Sequence, residues 1–180
     1  MPPWTTGCSV LSAERIRELF GLLNDRLAAE GVVGEVYVVG GAVMTLAFAA
    51  RPATNDVDAV FVPKEIVRRL SRRVALDAGI DENWLNDAVK GFLSDRGEFT
   101  EWLELSHLKV FMPVPEYLLA MKCIAFRLGP EFHDEADVRY LLRYLNLERV
   151  ADALAIVERY FPPDRIPAKT RFALEELLGS

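Results

Sequence analysis

The chain has 180 residues, 51% of them apolar and 27% charged, which suits one domain or one core with an appendage and excludes a disordered chain. Lys and Arg total 21 against 27 for Asp and Glu, and the net charge of −6 excludes the broad positive field of a generic nucleic-acid binder while leaving room for a local basic patch. The longest uncharged run, Val36 to Ala50, is 15 residues and too short to span a bilayer, so no membrane partner is expected. The opening MPPWTTGCSV lacks the basic-then-apolar pattern of a signal peptide, and Cys123 sits in an apolar helical pattern. With Cys8 as the only other cysteine, a disulfide framework and a structural zinc site are not expected, and a reducing cytoplasm is the expected location.

Ser12 is placed to cap a helix running to Ala29, with Ile16, Leu19, Phe20, Leu23 and Leu27 on one face. Glu35 to Val39 reads as a buried strand ending at Gly40-Gly41, and Ala42 to Ala50 as a helix of small residues. Thr54 to Val62 reads as a second strand, stopped by Pro63 and followed by a helix over Lys64 to Val74. A helix is expected over Asp81 to Leu93, then a hairpin of Trp102–Leu105 and Leu108–Met112 around Ser106-His107. Pro115 opens a helix to Leu128, broken by Gly129-Pro130, and Asp134 is placed to cap the next, which runs to about Leu145. Further helices are expected over Leu147–Phe161 and Pro167–Leu178. The reading is an α/β fold: a mixed-sheet core over 1–112 and an all-helical region over 113–180.

Asp56 and Asp58 stand two apart on an expected strand, so both carboxylates face one way with Cα atoms about 7 Å apart, near enough to share a divalent ion. A solvated strand end fits the same pair. Gly40-Gly41, between a strand and a helix, lets the backbone approach a phosphate; a tight turn made only for packing also fits. Lys64, Arg68, Arg69, Arg72 and Arg73 stack along one helix face, either to grip a polyanion such as RNA or as a solvated face paired with acids.

Taken together, strand, Gly40-Gly41, helix and Thr54-x-Asp56-x-Asp58 resemble the nucleotidyltransferase superfamily typified by DNA polymerase β. Pro115-Glu116-Tyr117-Leu118-Leu119-Ala120-Met121-Lys122, then Arg127, then Asp134-Glu135-Ala136-Asp137, is similar to the corresponding block of its toxin-type branch, the AbiEii and MenT-like toxins of toxin–antitoxin and abortive-infection systems. The resemblance covers roughly residues 34 to 142. It implies transfer of a nucleoside monophosphate from an NTP to an RNA acceptor, a tRNA 3′ end above all, and a cognate antitoxin as partner.

By the same resemblance Gly40, Gly41, Thr54 and Arg127 serve the nucleotide, Asp56 and Asp58 hold Mg2+ or Mn2+, Lys122 contacts phosphates, and Asp137 and Asp134 are the acids of the later helix. Glu104 is the strand candidate for a third metal-binding carboxylate. From the residues alone, Lys122 equally fits a lysine snorkelling from an apolar face, Asp134 an N-cap, and Arg127 a complement to the end of its helix. Protein AMP-transfer and a catalytically silent nucleotide- or partner-binding module are the rival functions.

Overall fold

The computed structural model describes residues 10–87, 90–127, 129 and 132–179; Cys8, Leu128 and Pro130 lie outside them. The fold is mixed α/β, with seven α-helices among the described residues, a five-stranded sheet and a two-stranded one. The chain divides into two compact units: the described residues of Met1–Ala88 with Glu101–Phe111, and those of Val89–Thr100 with Met112–Ser180.

In the first unit β1 (Leu11–Ser12) leads into α1 (Ala13–Ala29), and the Ser12 hydroxyl accepts the Arg15 backbone N–H at 3.1 Å. Ile16, Leu19, Phe20, Leu23 and Leu27 are all buried, as their spacing predicts. The sheet is built around β2 (Gly34–Val39). It pairs antiparallel with β4 (Val57–Val62), Val39 opposite Asp58, and parallel with β7 (Leu108–Pro113), Tyr37 opposite Phe111. A short β5 (Leu85–Asn86) lies parallel to the outer side of β4, and β6 (Phe99–Glu104) borders β7, giving the order β5-β4-β2-β7-β6.

Alternation decides the faces. Val36, Val38, Val57, Ala59, Phe61, Leu108 and Val110 are buried on one side. A Cβ on Gly34 would lie 2.9 Å from Leu27 of α1 and 3.4 Å from Val67 of α3 (Lys64–Ala78), which places both helices on that side. The expected Val60 is instead half-buried with Asp58 on the opposite side, and Ala59 takes the inward place.

Three local expectations change. The stretch Thr54–Val62 is not one strand: β3 (Ala53–Thr54) pairs with β1, the chain bends at Asn55, and β4 starts at Val57 to pair with β2. Asp58 is therefore on a strand, and Asp56 stands one residue before it. The helix after the glycines, α2 (Gly41–Leu46), is shorter than expected, since Ala47 caps it and Ala49 turns to φ 49°. No helix spans Asp81–Leu93: α3 ends at left-handed Gly79, the Asp81 side chain accepts the Asn83 N–H at 2.7 Å, and Trp84 is buried. The Trp84 indole donates to the Ser71 carbonyl at 3.0 Å and its own carbonyl accepts the Val57 N–H at 2.7 Å, so backbone pairing beside β4 replaces helix there.

The second unit is helical. Its centre is α4 (Pro115–Ala125), with Pro115 in the first turn and every residue from Tyr117 to Ile124 buried. Tyr117 makes an edge-on contact with Phe99, lies 4.9 Å from the Tyr160 ring, and accepts the Ser94 N–H at 3.0 Å. Helices α5 (Asp134–Tyr144), α6 (Val150–Tyr160) and α7 (Ala168–Leu178) complete it. The Thr170 hydroxyl donates to the Cys123 carbonyl at 2.9 Å, tying α7 to α4 without an unmet buried hydroxyl. No helix among the described residues is long and apolar enough to cross a membrane.

Candidate functional site

In the first unit the strand-to-helix turn after β2 and the start of β4 converge. Buried Val38 and Val39 carry β2 into Gly40, whose φ of 68° and ψ of −146° lie where a side chain is strained. The pairing of Val39 with Asp58 sets the Asp58 carboxylate beside this glycine: a Cβ on Gly40 would lie 3.2 Å from Asp58 Oδ2. A Cβ on Gly41 would lie 2.9 Å from Arg51 Nη1 and 3.7 Å from Thr54 Oγ1. Each glycine thus leaves its backbone open to a charged side chain, an acid at the first and a guanidinium at the second.

Thr54 donates its hydroxyl to the Asp56 carbonyl at 3.1 Å, fixing the bend that precedes β4. Asn86, opposite Asp58 on β5, donates its side-chain amide to Asp56 Oδ2 at 3.1 Å. The Asp56 carboxyl is held above its ordinary value, first because the surrounding chain partly shields it from water; the Asn86 hydrogen bond opposes this and the charge of Asp81 adds to it. Asp58 lies half-buried on the strand itself.

Two aspartates at an open strand end are the hard oxygen donors that Mg2+ takes in ones and twos, leaving its other positions to water and phosphate, so the donor set fits that ion. A third acid is not brought in. Glu104 is exposed on β6 and paired with Lys109 at 2.9 Å; β2 and β7 separate its strand from β4, about 14 Å at the usual strand spacing. Among the described residues no group of three or more His, Cys, Asp and Glu is placed to hold a metal.

The second unit holds a different cluster. Lys122 of α4 reaches Asp137 Oδ2 at 2.7 Å and Asp134 Oδ1 at 3.9 Å, with side-chain exposures of 9%, 3% and 6%. Arg127 donates its Nε and its backbone N–H to Asp134 Oδ2, at 2.9 and 3.0 Å. Two cations and two carboxylates therefore neutralise one another between α4 and α5. Lys122 does not snorkel, because its ammonium ends inside the unit. Asp134 is the first helical residue rather than the cap; His133 holds that position without a side-chain cap bond. Its carboxylate is turned to Arg127 and Lys122 instead.

Along α3 the basic stripe is largely paired. Lys64 and Arg68 meet Asp87 at 2.6 and 2.8 Å, Arg68 also meets Glu65, Arg69 grips both oxygens of Glu30 at 2.8 and 2.7 Å, and Arg73 lies 4.0 Å from Asp77. Arg72 alone of the five has no carboxylate partner among the described residues.

Two members of the glycine–aspartate site escape a reading of the sequence. Arg51 had a signal, as the first charge after the long uncharged run and three residues before Thr54. Asn86 had none, since only the parallel pairing of β5 with β4 brings it to Asp56. Comparisons with protein-family profiles, with curated proteins and with solved structures give no match to this chain.

Proposed function

We propose that this chain is a Mg2+-dependent nucleotidyltransferase that moves a nucleoside monophosphate from an NTP to the hydroxyl of an RNA acceptor, a tRNA 3′ end in the first place, and that it acts in the cytoplasm as the toxin of a toxin–antitoxin pair. The observation that carries the proposal is the approach of Asp58 to Gly40, with Asp56 anchored beside it by Asn86. This joins two acids to a backbone turn left bare of side chains.

In this reading Asp56 and Asp58 hold the cation. When bound, Mg2+ or Mn2+ supplies neutralisation of phosphate charge and orients the reacting oxygens. The open backbone at Gly40 and Gly41 admits the triphosphate, and the Arg51 guanidinium over Gly41 supplies positive charge there. Asn86 keeps one Asp56 oxygen engaged and so orients the other. The acceptor oxygen bonds to the α-phosphorus, the α–β phosphoanhydride bond breaks, and pyrophosphate leaves; the hydroxyl proton passes to solvent or a carboxylate. Lys122 and Asp137 enter through the family resemblance, as a phosphate-contacting cation and its acid.

The test is incubation with each NTP labelled at its α-phosphate, with Mg2+, and with total RNA or total cell protein in separate arms. Label on small RNA from one or two preferred NTPs is the expected result, abolished by Asp58→Asn. Label on protein alone replaces the acceptor and makes the enzyme an AMP-transferase. A silent nucleotide-binding module is the second reading, favoured by the distance of Glu104 from the aspartates; NTP binding without label on either acceptor would establish it.

A further inference from the structure

Helix α5 buries Val138, Leu141 and Leu142 and turns a different face outward. On that face Tyr140 and Tyr144, four residues apart, hold their rings nearly parallel, 15° between planes and 6.3 Å between centroids. Tyr144 is 54% exposed, an unusual place for a large aromatic ring. Arg139 and Arg143 run beside them, each one residue earlier and again four apart. Arg139 bonds Glu135 at 3.0 Å in an exposed pair, and Arg143 has no carboxylate partner among the described residues. The helix's other acids, Asp134 and Asp137, are buried and answered by Lys122 and Arg127. The outward face is thus aromatic with a positive margin, on a chain whose net charge is negative. Completing the helix dipole accounts for Arg143 but not for two aligned tyrosines at the surface.

We infer that this face of α5 binds single-stranded RNA, with unpaired bases stacking on Tyr140 and Tyr144 and the neighbouring phosphates meeting Arg139 and Arg143. Exposed rings aligned at one helical turn offer successive flat surfaces that any base can use, and arginines spaced alongside match a backbone that carries one charge per base. A duplex keeps its bases stacked on one another and gives the tyrosines nothing to hold. The inference names the acceptor surface of the proposed transfer and rests on that reading for its purpose, whereas the binding itself needs neither NTP nor metal.

The experiment is fluorescence anisotropy with a labelled single-stranded RNA oligonucleotide of mixed sequence, in EDTA and without NTP, so that failure of the transfer reaction leaves the result intact. Tyr144→Ala is expected to weaken binding about tenfold, and Tyr140→Ala/Tyr144→Ala further, while Tyr144→Phe stays close to wild type because the ring remains. Arg143→Gln should lower the slope of log affinity against log salt by about 0.7. The same sequence as a duplex should bind more weakly. Wild-type affinity in the double alanine variant, or equal affinity for duplex, overturns the inference. So does loss of a co-purifying protein partner in that variant with RNA affinity unchanged, which would make the face a protein-docking surface.

Discussion

The ammonium of Lys122 ends 2.7 Å from Asp137 Oδ2, with both side chains almost wholly enclosed by α4 and α5. An ion pair at that depth is costly to break from one side, because the remaining charge has neither water nor partner. Lys122→Met should therefore destabilise the chain by about 3–5 kcal/mol in urea unfolding, and Lys122→Met/Asp137→Leu should recover most of it. A loss under about 1 kcal/mol in the single variant would mean that the pair contributes nothing. Any loss of transferase activity in Lys122→Ala must be compared with this loss of fold before a phosphate contact is assigned.

Gly40 and Gly31 separate backbone strain from crowding. Both have positive φ, 68° and 66°, but a Cβ on Gly31 meets nothing within 4 Å while one on Gly40 meets the Asp58 carboxylate. Gly31→Ala and Gly40→Ala should each lose about 1–3 kcal/mol of stability. Only Gly40→Ala should also weaken Mg2+-supported NTP binding, as measured by calorimetry. Equal NTP affinity in the two variants would remove Gly40 from the site.

Asn86 touches neither phosphate nor acceptor in the proposed reaction, but it holds one oxygen of Asp56. Asn86→Ala should raise the Mg2+ concentration needed for half-maximal NTP binding about 10–100-fold, leaving affinity at saturating Mg2+ near wild type. Asp58→Asn should make binding indifferent to Mg2+ or EDTA. If EDTA has no effect on the wild type, the paired-aspartate reading fails.

Alkaline pH should unfold this protein earlier than its net charge alone suggests. Burial pushes the Cys123 thiol up to about 12, and the Tyr117 and Tyr160 hydroxyls are raised, chiefly by burial as well. Tyr37 is raised mainly by the hydrogen bond it donates to Glu35. Each of these groups keeps its proton longer when folded, so its contribution is intact below its unfolded value and is lost as pH rises through the folded one. The urea midpoint should fall between pH 8 and pH 10 and should fall less in Cys123→Ala, which removes one of the groups. In a Cys8→Ser background, alkylation of Cys123 at pH 8 should be negligible until urea unfolds the chain.

The sequence by itself determined whatever depends on near neighbours. The core face of α1 follows from apolar residues every three or four positions, and its start from Ser12. The end of β2 follows from Gly40, because few other residues take that backbone conformation. Pro115 and the unbroken apolar run behind it marked α4 as an enclosed helix. Tertiary structure decided whatever depends on a distant partner. Competition between β1 and β2 for backbone hydrogen bonds splits the Thr54–Val62 stretch and leaves Asp56 just off the strand. Pairing beside β4 holds Leu85–Asn86 extended and supplies Asp56 with its amide. The ammonium of Lys122 and the α3 cations found carboxylates that no local spacing announces, Asp137, Asp87 and Glu30 among them. A helix period says which way a charged side chain points, but its partner is chosen by the chain that folds against it, where an unpaired buried charge costs more than any local preference returns.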